Sequence, residues 1–156
     1  MIDVEIEDEA WTAALSDAEA WTIKAAGAAL LIARADTDAA VTILLTDDAA
    51  IRELNAQFRD RDKPTNVLSF PAAESALPHI GDIALAYGVC AKEAQEQKKG
   101  LREHLVHLTA HGVLHLLGYD HETDAEAEVM EEMERDVLRG FEISDPYASR
   151  DHHVEP

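Results

Sequence analysis

Cysteine is almost absent from this chain: Cys90 stands alone. A lone thiol cannot form an internal disulfide, so nothing in the sequence asks for an oxidising compartment. Cys90 reads as a small buried residue, with a reactive thiol or a metal ligand as its other uses. Long apolar runs are missing too. The candidate stretch "AAGAALLIA" at 25–33 falls short of the roughly 18 residues needed to span a bilayer and reads as a buried helix. The first residues, "MIDVEIEDEAW", are acidic and lack the basic-then-apolar order of a secretory signal. The expectation is a cytoplasmic protein with no membrane association.

Basic residues are scarce. Lys and Arg total 13 against 32 Asp and Glu, for a net charge of −19. Such a balance repels polyanions and argues against non-specific nucleic-acid binding. The distribution softens that argument. Arg52, Arg59, Arg61 and Lys63 fall in one short stretch, and Lys92, Lys98, Lys99 and Arg102 in another. Much of the acid lies elsewhere, in the N-terminal third and between Asp120 and Asp136.

No repeat, low-complexity tract or interdomain linker breaks the 156 residues. One domain over 1–145 is expected, with a frayed tail at 146–156 that includes His152 and His153. Residues 2–7 alternate apolar and acidic, as a strand does. Ser16 with Glu19 has the pattern of a capping box, ahead of an apolar stripe at Trp21, Ala25, Ala28 and Ile32. "AVTILLT" at 40–46 reads as a central strand. Asp47 caps a helix carrying Ile51, Leu54 and Phe58. Strands are expected at 66–70 and 80–87, and helices at 89–99 and 101–117. Gly118 suits a left-handed helix end. Thr123 with Glu126 caps a last helix whose buried face is Met130, Met133, Val137 and Phe141. Strands and helices mix irregularly, which predicts an α+β domain with a small mixed sheet of about four strands packed with helices.

The most informative stretch is "HGVLHLLGYDH" at 111–121. Its histidines stand at the spacing of the zinc-peptidase pattern HExxHxxGxxH. The helix also carries His104 and His107. Helices rise about 1.5 Å per residue, so His107 and His115 lie roughly 12 Å apart along the axis. Zinc–nitrogen bonds are about 2.0–2.1 Å, so one ion takes two neighbours from this helix and a third ligand from chain that turns back. Gly118 provides the turn, and the expected set is His111, His115 and His121. The pair His107 with His111 is the alternative. His104 and His107 otherwise read as core groups or groups that orient a ligand. Imidazole suits Zn2+, one per chain, although other divalent transition metals are chemically possible. Three protein ligands leave a position open, as catalytic sites do. Asp120 either orients a histidine or faces solvent.

A peptidase keeps its glutamate base directly after the first histidine, and here that position is Gly112. A zinc peptidase-like hydrolase is therefore disfavoured. A substrate that brings its own charge, such as a phosphodiester, fits better, and arginine meets phosphate with a bidentate fork. A non-enzymatic assembly factor with a structural metal would need a fourth ligand, for which Asp120 and Cys90 are the candidates.

With "LNAQFRDRDKPTNVLSFP" at 54–71 and "IGDIALA" at 80–86, the histidine motif resembles the signature of the YbeY endoribonuclease family over roughly residues 40–140. The resemblance implies a zincin-like domain with His111, His115 and His121 as metal ligands. It puts the family's critical arginine at Arg59, so that Arg59 and His111 would carry catalysis. It implies metal-dependent cleavage of single-stranded RNA, in maturation of the 3′ end of small-subunit rRNA and in ribosome quality control. The implied partners are the small ribosomal subunit, one of its proteins and the Era GTPase. One departure is Asp60, where members often carry glycine.

The charge balance yields a test. RNA-phosphate contacts would fall to Arg59, Arg61, Lys63, Lys98 and Lys99. Two to four contacts, at about −0.7 each, give a log K against log salt slope of roughly −1.4 to −2.8 for single strands. Titration of a single-stranded oligonucleotide across a salt series should show weak binding with that shallow slope. A tight complex with a steep slope would contradict it.

Overall fold

The computed structural model describes residues 1–147. His152, His153 and most of the expected tail therefore lie outside the described residues. The elements run β1 (Ile2–Ile6), α1 (Ala10–Ala14), α2 (Ala18–Ile32), β2 (Ala40–Thr46), α3 (Asp48–Arg59), β3 (Val67–Pro71), β4 (His79–Ala86), α4 (Tyr87–Glu96), α5 (Leu101–Leu116) and α6 (Asp124–Gly140). The four strands form one sheet in the order β1-β2-β4-β3, parallel except for β3, which pairs antiparallel with β4 at one edge. The α+β expectation with a four-stranded mixed sheet holds.

Strand alternation sorts the core into two layers. Val41, Ile43 and Leu45 of β2, Ile83 and Leu85 of β4, and Val67 of β3 turn to one face, where α5 contributes Leu105, Leu108 and Val113. Leu68 and Phe70 of β3, with Ala84 and Ala86 of β4, turn to the other face and meet Ile51 and Leu54 of α3. A glycine links the sheet to the end of α5. Gly81 has φ +151°, and a Cβ there would stand 2.5 Å from the Phe70 carbonyl oxygen and 2.7 Å from Leu116 Cδ2. Beside it, Val41 pairs with Gly81 while Ala40 pairs with His79, so Ile80 is bulged out of register.

Several local expectations shift. The Ser16–Glu19 capping box does not form. Asp17 precedes α2, and its carboxylate accepts from Trp21 Nε1 at 2.8 Å. The buried face of α2 is Ala18, Thr22, Ala25, Ala26 and Ala29; of the expected stripe only Ala25 belongs to it, while Trp21, Ala28 and Ile32 are half-buried. Small side chains let α5 approach closely, and the indole stays at the rim beneath the Arg102 guanidinium, 4.7 Å from its ring centre. Helix α1 is an addition: Asp8 accepts from the Ala10 amide, and the buried Trp11 donates through Nε1 to the Thr46 carbonyl at 3.0 Å. Asp47 and Thr123 cap α3 and α6 as expected, accepting from Ala50 and Glu126 amides. On α6 the buried set is Met130, Glu134, Val137 and Leu138. Met133 gives way to a carboxylate.

One buried polar group has a clear pH consequence. His104 is 1% exposed and contacts Glu93 Oε1 through Nε2 at 2.8 Å. Glu93 also accepts from Asn66, which joins α4 and α5 to the start of β3. Burial lowers the His104 pKa to about 4 despite the opposing Glu93 hydrogen bond, so the ring is neutral at pH 7. Its unfolded pKa is about 6.5. The stability it lends is complete above that value and drains as pH falls towards 4, by up to about 1.4 kcal/mol per pH unit. Urea midpoints of the metal-free protein should decline across this window. His104→Asn, which cannot titrate there, should flatten the decline; an unaltered profile would rule out His104 as a contributor.

Candidate metal centre

The centre is built at the C-terminal end of α5. His111 and His115, one turn apart, project from the same side of the helix. Gly118 follows with φ +99°. Its amide donates to the His115 carbonyl, and the Tyr119 amide donates to the Leu114 carbonyl. These two bonds close a Schellman-type end and reverse the chain. The Asp120 carboxylate then accepts from the His121 amide at 2.8 Å. It thus holds the backbone of the third histidine, where an imidazole contact was the expected alternative to solvent. The reversal brings His121 opposite the other two.

A ligand atom from each of His111, His115 and His121 lies within 4.8 Å of the other two. The Nε2 atoms of all three are buried and have no protein hydrogen-bond partner. Three buried imidazole nitrogens that meet only one another fit a shared ion, and small ring rotations bring them to bonding distance. Burial, then the neighbouring His111 and His121, lowers the His115 pKa to about 4. A neutral imidazole is the form a metal requires. Among the described residues no fourth donor joins the group. Cys90 is fully buried elsewhere, its Sγ 3.6 Å from the Asn66 carbonyl, and burial pushes its thiol pKa well up. That describes an inert core cysteine.

Behind the histidines lies a carboxylate that the sequence pattern did not flag. Glu134 of α6 is 1% exposed. Its Oε2 is 3.2 Å from His111 Nδ1, and its Oε1 is 2.6 Å from His107 Nε2 and 2.7 Å from the Tyr147 hydroxyl. Burial alone would push this carboxyl up. The facing His111 imidazole and the hydrogen bonds from His107 and His111 outweigh it and hold the carboxyl well below its usual range. His107 therefore sits beside the triad without joining it. Tyr147, the second residue of the expected tail, is buried against this network. Glu134 was hidden because it occupies an apolar position of the α6 stripe.

Gly112 has a packing reason. A Cβ there would meet Ile83 side-chain carbons at 3.1 Å and Ser69 Oγ at 3.3 Å. Here α5 lies close to β3 and β4, and any side chain would require Ile83 and Ser69 to give by a few tenths of an ångström. Ser69 Oγ instead donates to the Gly112 carbonyl at 3.3 Å.

Arg59, the last residue of α3, reaches the same strand. Its guanidinium donates to the Ser69 carbonyl and lies 5.5 Å from the Phe70 ring centre. Two hydrogen bonds thus link Arg59, through Ser69, to the turn of α5 that holds His111. The following loop is pinned by Asn55. The buried Asn55 side chain donates to the Lys63 carbonyl, and the Asn55 carbonyl accepts from the Arg61 amide. Arg61 and Lys63 are exposed beside it. Lys98 and Lys99 stand apart, before α5 begins at Leu101. Leu101 and His111 are about 15 Å apart along the axis at 1.5 Å per residue. Burial lowers the Lys99 pKa to about 8. Among the described residues none of these five cations forms an ion pair, whereas Arg52 is paired with Asp62 at 2.8 Å.

Residues 3–142 match the family model described as Endoribonuclease YbeY. The chain belongs to the YbeY endoribonuclease family. Relatives named Endoribonuclease YbeY include one from Chelativorans sp. (strain BNC1), 53% identical over 77% of this chain and 79% of that protein. Another, from Azorhizobium caulinodans, is 51% identical over 94% of this chain and 96% of its own length. The solution structure of TM1509 from Thermotoga maritima shares the fold, with a TM-score of 0.57, 27% identity and coverage of 94% of this chain and 99% of that one. For a YbeY chain the Gly112 close approach is consistent with a site that lacks the peptidase base.

Elemental analysis after zinc loading and desalting should find about one ion per wild-type chain. His115→Ala and His121→Ala should each lose most of it, and His107→Ala should retain it. Full occupancy in His121→Ala would refute the triad.

Proposed function

We propose that this protein is a zinc-dependent endoribonuclease that cuts single-stranded RNA. Within the cell we place it in the cytoplasm, in maturation of the 3′ end of small-subunit rRNA and in ribosome quality control. Its partners there would be the small ribosomal subunit with one of its proteins, and the Era GTPase. The observation that carries the reading is the three-nitrogen cluster of His111, His115 and His121, without a fourth donor among the described residues. Membership of an endoribonuclease family gives the open site its class of substrate.

The roles follow from chemistry. The three histidines would hold the ion. Zinc, when bound, supplies Lewis acidity near neutral pH. Arg59 would bind a phosphate and neutralise charge that grows on it, using guanidinium N–H groups not committed to Ser69. Arg61 and Lys63, on the Asn55-pinned loop, would hold neighbouring phosphates. Lys98 and Lys99 would meet the strand only several nucleotides away. The intact fold places no helix long and apolar enough to cross a membrane among the described residues.

Two observations count against a peptidase. Gly112 has no side chain to serve as the base, and its surroundings are tight for one. The free edge of β3 is also interrupted. The Ala86 amide donates to the Asn66 carbonyl, so residues 66, 68 and 70 turn their backbone groups to β4, while 67, 69 and 71 turn outward. Of the outward groups, the Val67 amide donates to the Asn66 side chain, the Ser69 carbonyl accepts from Arg59, and Pro71 has no N–H. An extended peptide would find only the Val67 carbonyl, the Ser69 amide and the Pro71 carbonyl to pair with, an incomplete ladder.

Arg59→Ala should preserve fold and zinc content while removing most cleavage of a single-stranded RNA oligonucleotide. Arg59→Lys should recover part of it, since an ammonium has no fork. Gel-resolved cleavage rates at matched zinc occupancy test this, and wild-type turnover in Arg59→Ala would take Arg59 out of the site.

A further inference from the structure

The carboxylate behind the triad has a geometry that plain core packing does not explain. Glu134 occupies a buried position of α6 between Met130 and Val137, where an apolar side chain would fill the space at no electrostatic cost. Three donors from two other segments converge on it. His107 and Tyr147 meet Oε1, and His111 meets Oε2. The His111 contact uses Nδ1. A carboxylate there fixes the proton on Nδ1 and leaves the Nε2 lone pair free, and Nε2 is the His111 nitrogen that has no protein partner.

We infer that Glu134, clamped by His107 and Tyr147, is the positioning residue that sets the tautomer and ring orientation of His111 for metal binding. The inference rests on the reading of His111, His115 and His121 as metal ligands. It also gives the C-terminal segment a part in the centre, because Tyr147 holds the carboxylate in place. Carboxylates that orient a ligating histidine typically contribute 10- to 100-fold to metal affinity.

Glu134→Gln tests it directly. The amide oxygen is drawn to the side with two donors, His107 and Tyr147, and its NH2 then faces His111 Nδ1. That ring must shift its proton to Nε2, which removes the lone pair from the cluster. Zinc affinity, measured by competition with a chromophoric chelator at fixed pH, should fall by about 10- to 100-fold. Long-range proton–nitrogen NMR of the metal-free protein should show His111 protonated on Nδ1 in the wild type and on Nε2 in the variant. Met130→Ala, one turn earlier on the same buried face, should lower the urea midpoint and leave both readouts unchanged. If Glu134→Gln does not fold, Tyr147→Phe decides: it deletes one hydroxyl that holds the carboxylate and should weaken zinc binding measurably, by less than the about 10-fold expected when the orienting carboxylate itself is lost. Wild-type zinc affinity in the folded variants, or an Nε2-protonated His111 in the wild type, would overturn the role of Glu134 while leaving the triad intact. A wild-type chain that binds no zinc would overturn the metal reading itself, and this inference with it.

Discussion

The close approach of α5 to the sheet at Gly112 is the contact on which the rest of the centre depends. A Cβ at that position would stand 3.1 Å from Ile83 carbons and 3.3 Å from Ser69 Oγ, so helix and strand meet there with little slack. The contact sets how near His111 and His115 lie to the strand to which Arg59 is tied. Because interiors are close-packed, a displacement there is transmitted rather than absorbed. The missing base and the placed cation thus have one origin. The packing that favours glycine there also brings β3, with Arg59 on its Ser69 carbonyl, beside the histidines.

Electrostatically the chain is divided. The chain carries a net charge of −19, and among the described residues most of its acidic side chains are exposed or half-buried. Two polar clusters run along the buried side of α5, His104 with Glu93 and Asn66, and His107 with His111, Glu134 and Tyr147. Each couples α5 to a different neighbour, the first to α4 and β3, the second to α6 and the C-terminal segment. Buried carboxylates are costly unless their acceptor sites are filled. Here imidazole, amide and phenol groups fill them, and the helix bearing the ligands is fixed in rotation as well as in position.

Much of this was legible in the sequence wherever a local rule decided the outcome. The α5 histidines, the Gly118 turn and the caps at Asp47 and Thr123 follow from spacing and hydrogen-bonding capacity within a few residues. What escaped notice depends on tertiary partners. Glu134 sits in an apolar stripe and is acceptable only because donors arrive from α5 and from Tyr147. Trp21 looked like the centre of a buried face, yet the α2–α5 contact selects alanines, since they allow closer helices. Trp11 lies in a five-residue helix too short to announce itself by periodicity, and it is fixed by a bond to the Thr46 carbonyl.

The departure at Asp60 shows how tertiary context changes the meaning of a residue. Beside Arg59 in the sequence, an added carboxylate suggests competition with phosphate for the guanidinium. In the fold Asp60 ends α3 with φ 58° and ψ 35°, a left-handed conformation. Glycine enters that region freely, and aspartate is among the side chains that tolerate it best. The backbone reverses there, and Asp60 is exposed. Among the described residues it forms no ion pair with Arg59, whose N–H groups turn back to Ser69 and whose face covers Phe70. The position is governed by backbone conformation, and its charge is left to solvent, where salt screens it over about 8 Å at physiological ionic strength. The attraction that matters for an incoming phosphate is therefore short-ranged. On the proposed role of Arg59, it would be set by guanidinium geometry at the β3 edge rather than by the sign of the chain's net charge, which would let so acidic a protein hold a phosphate there.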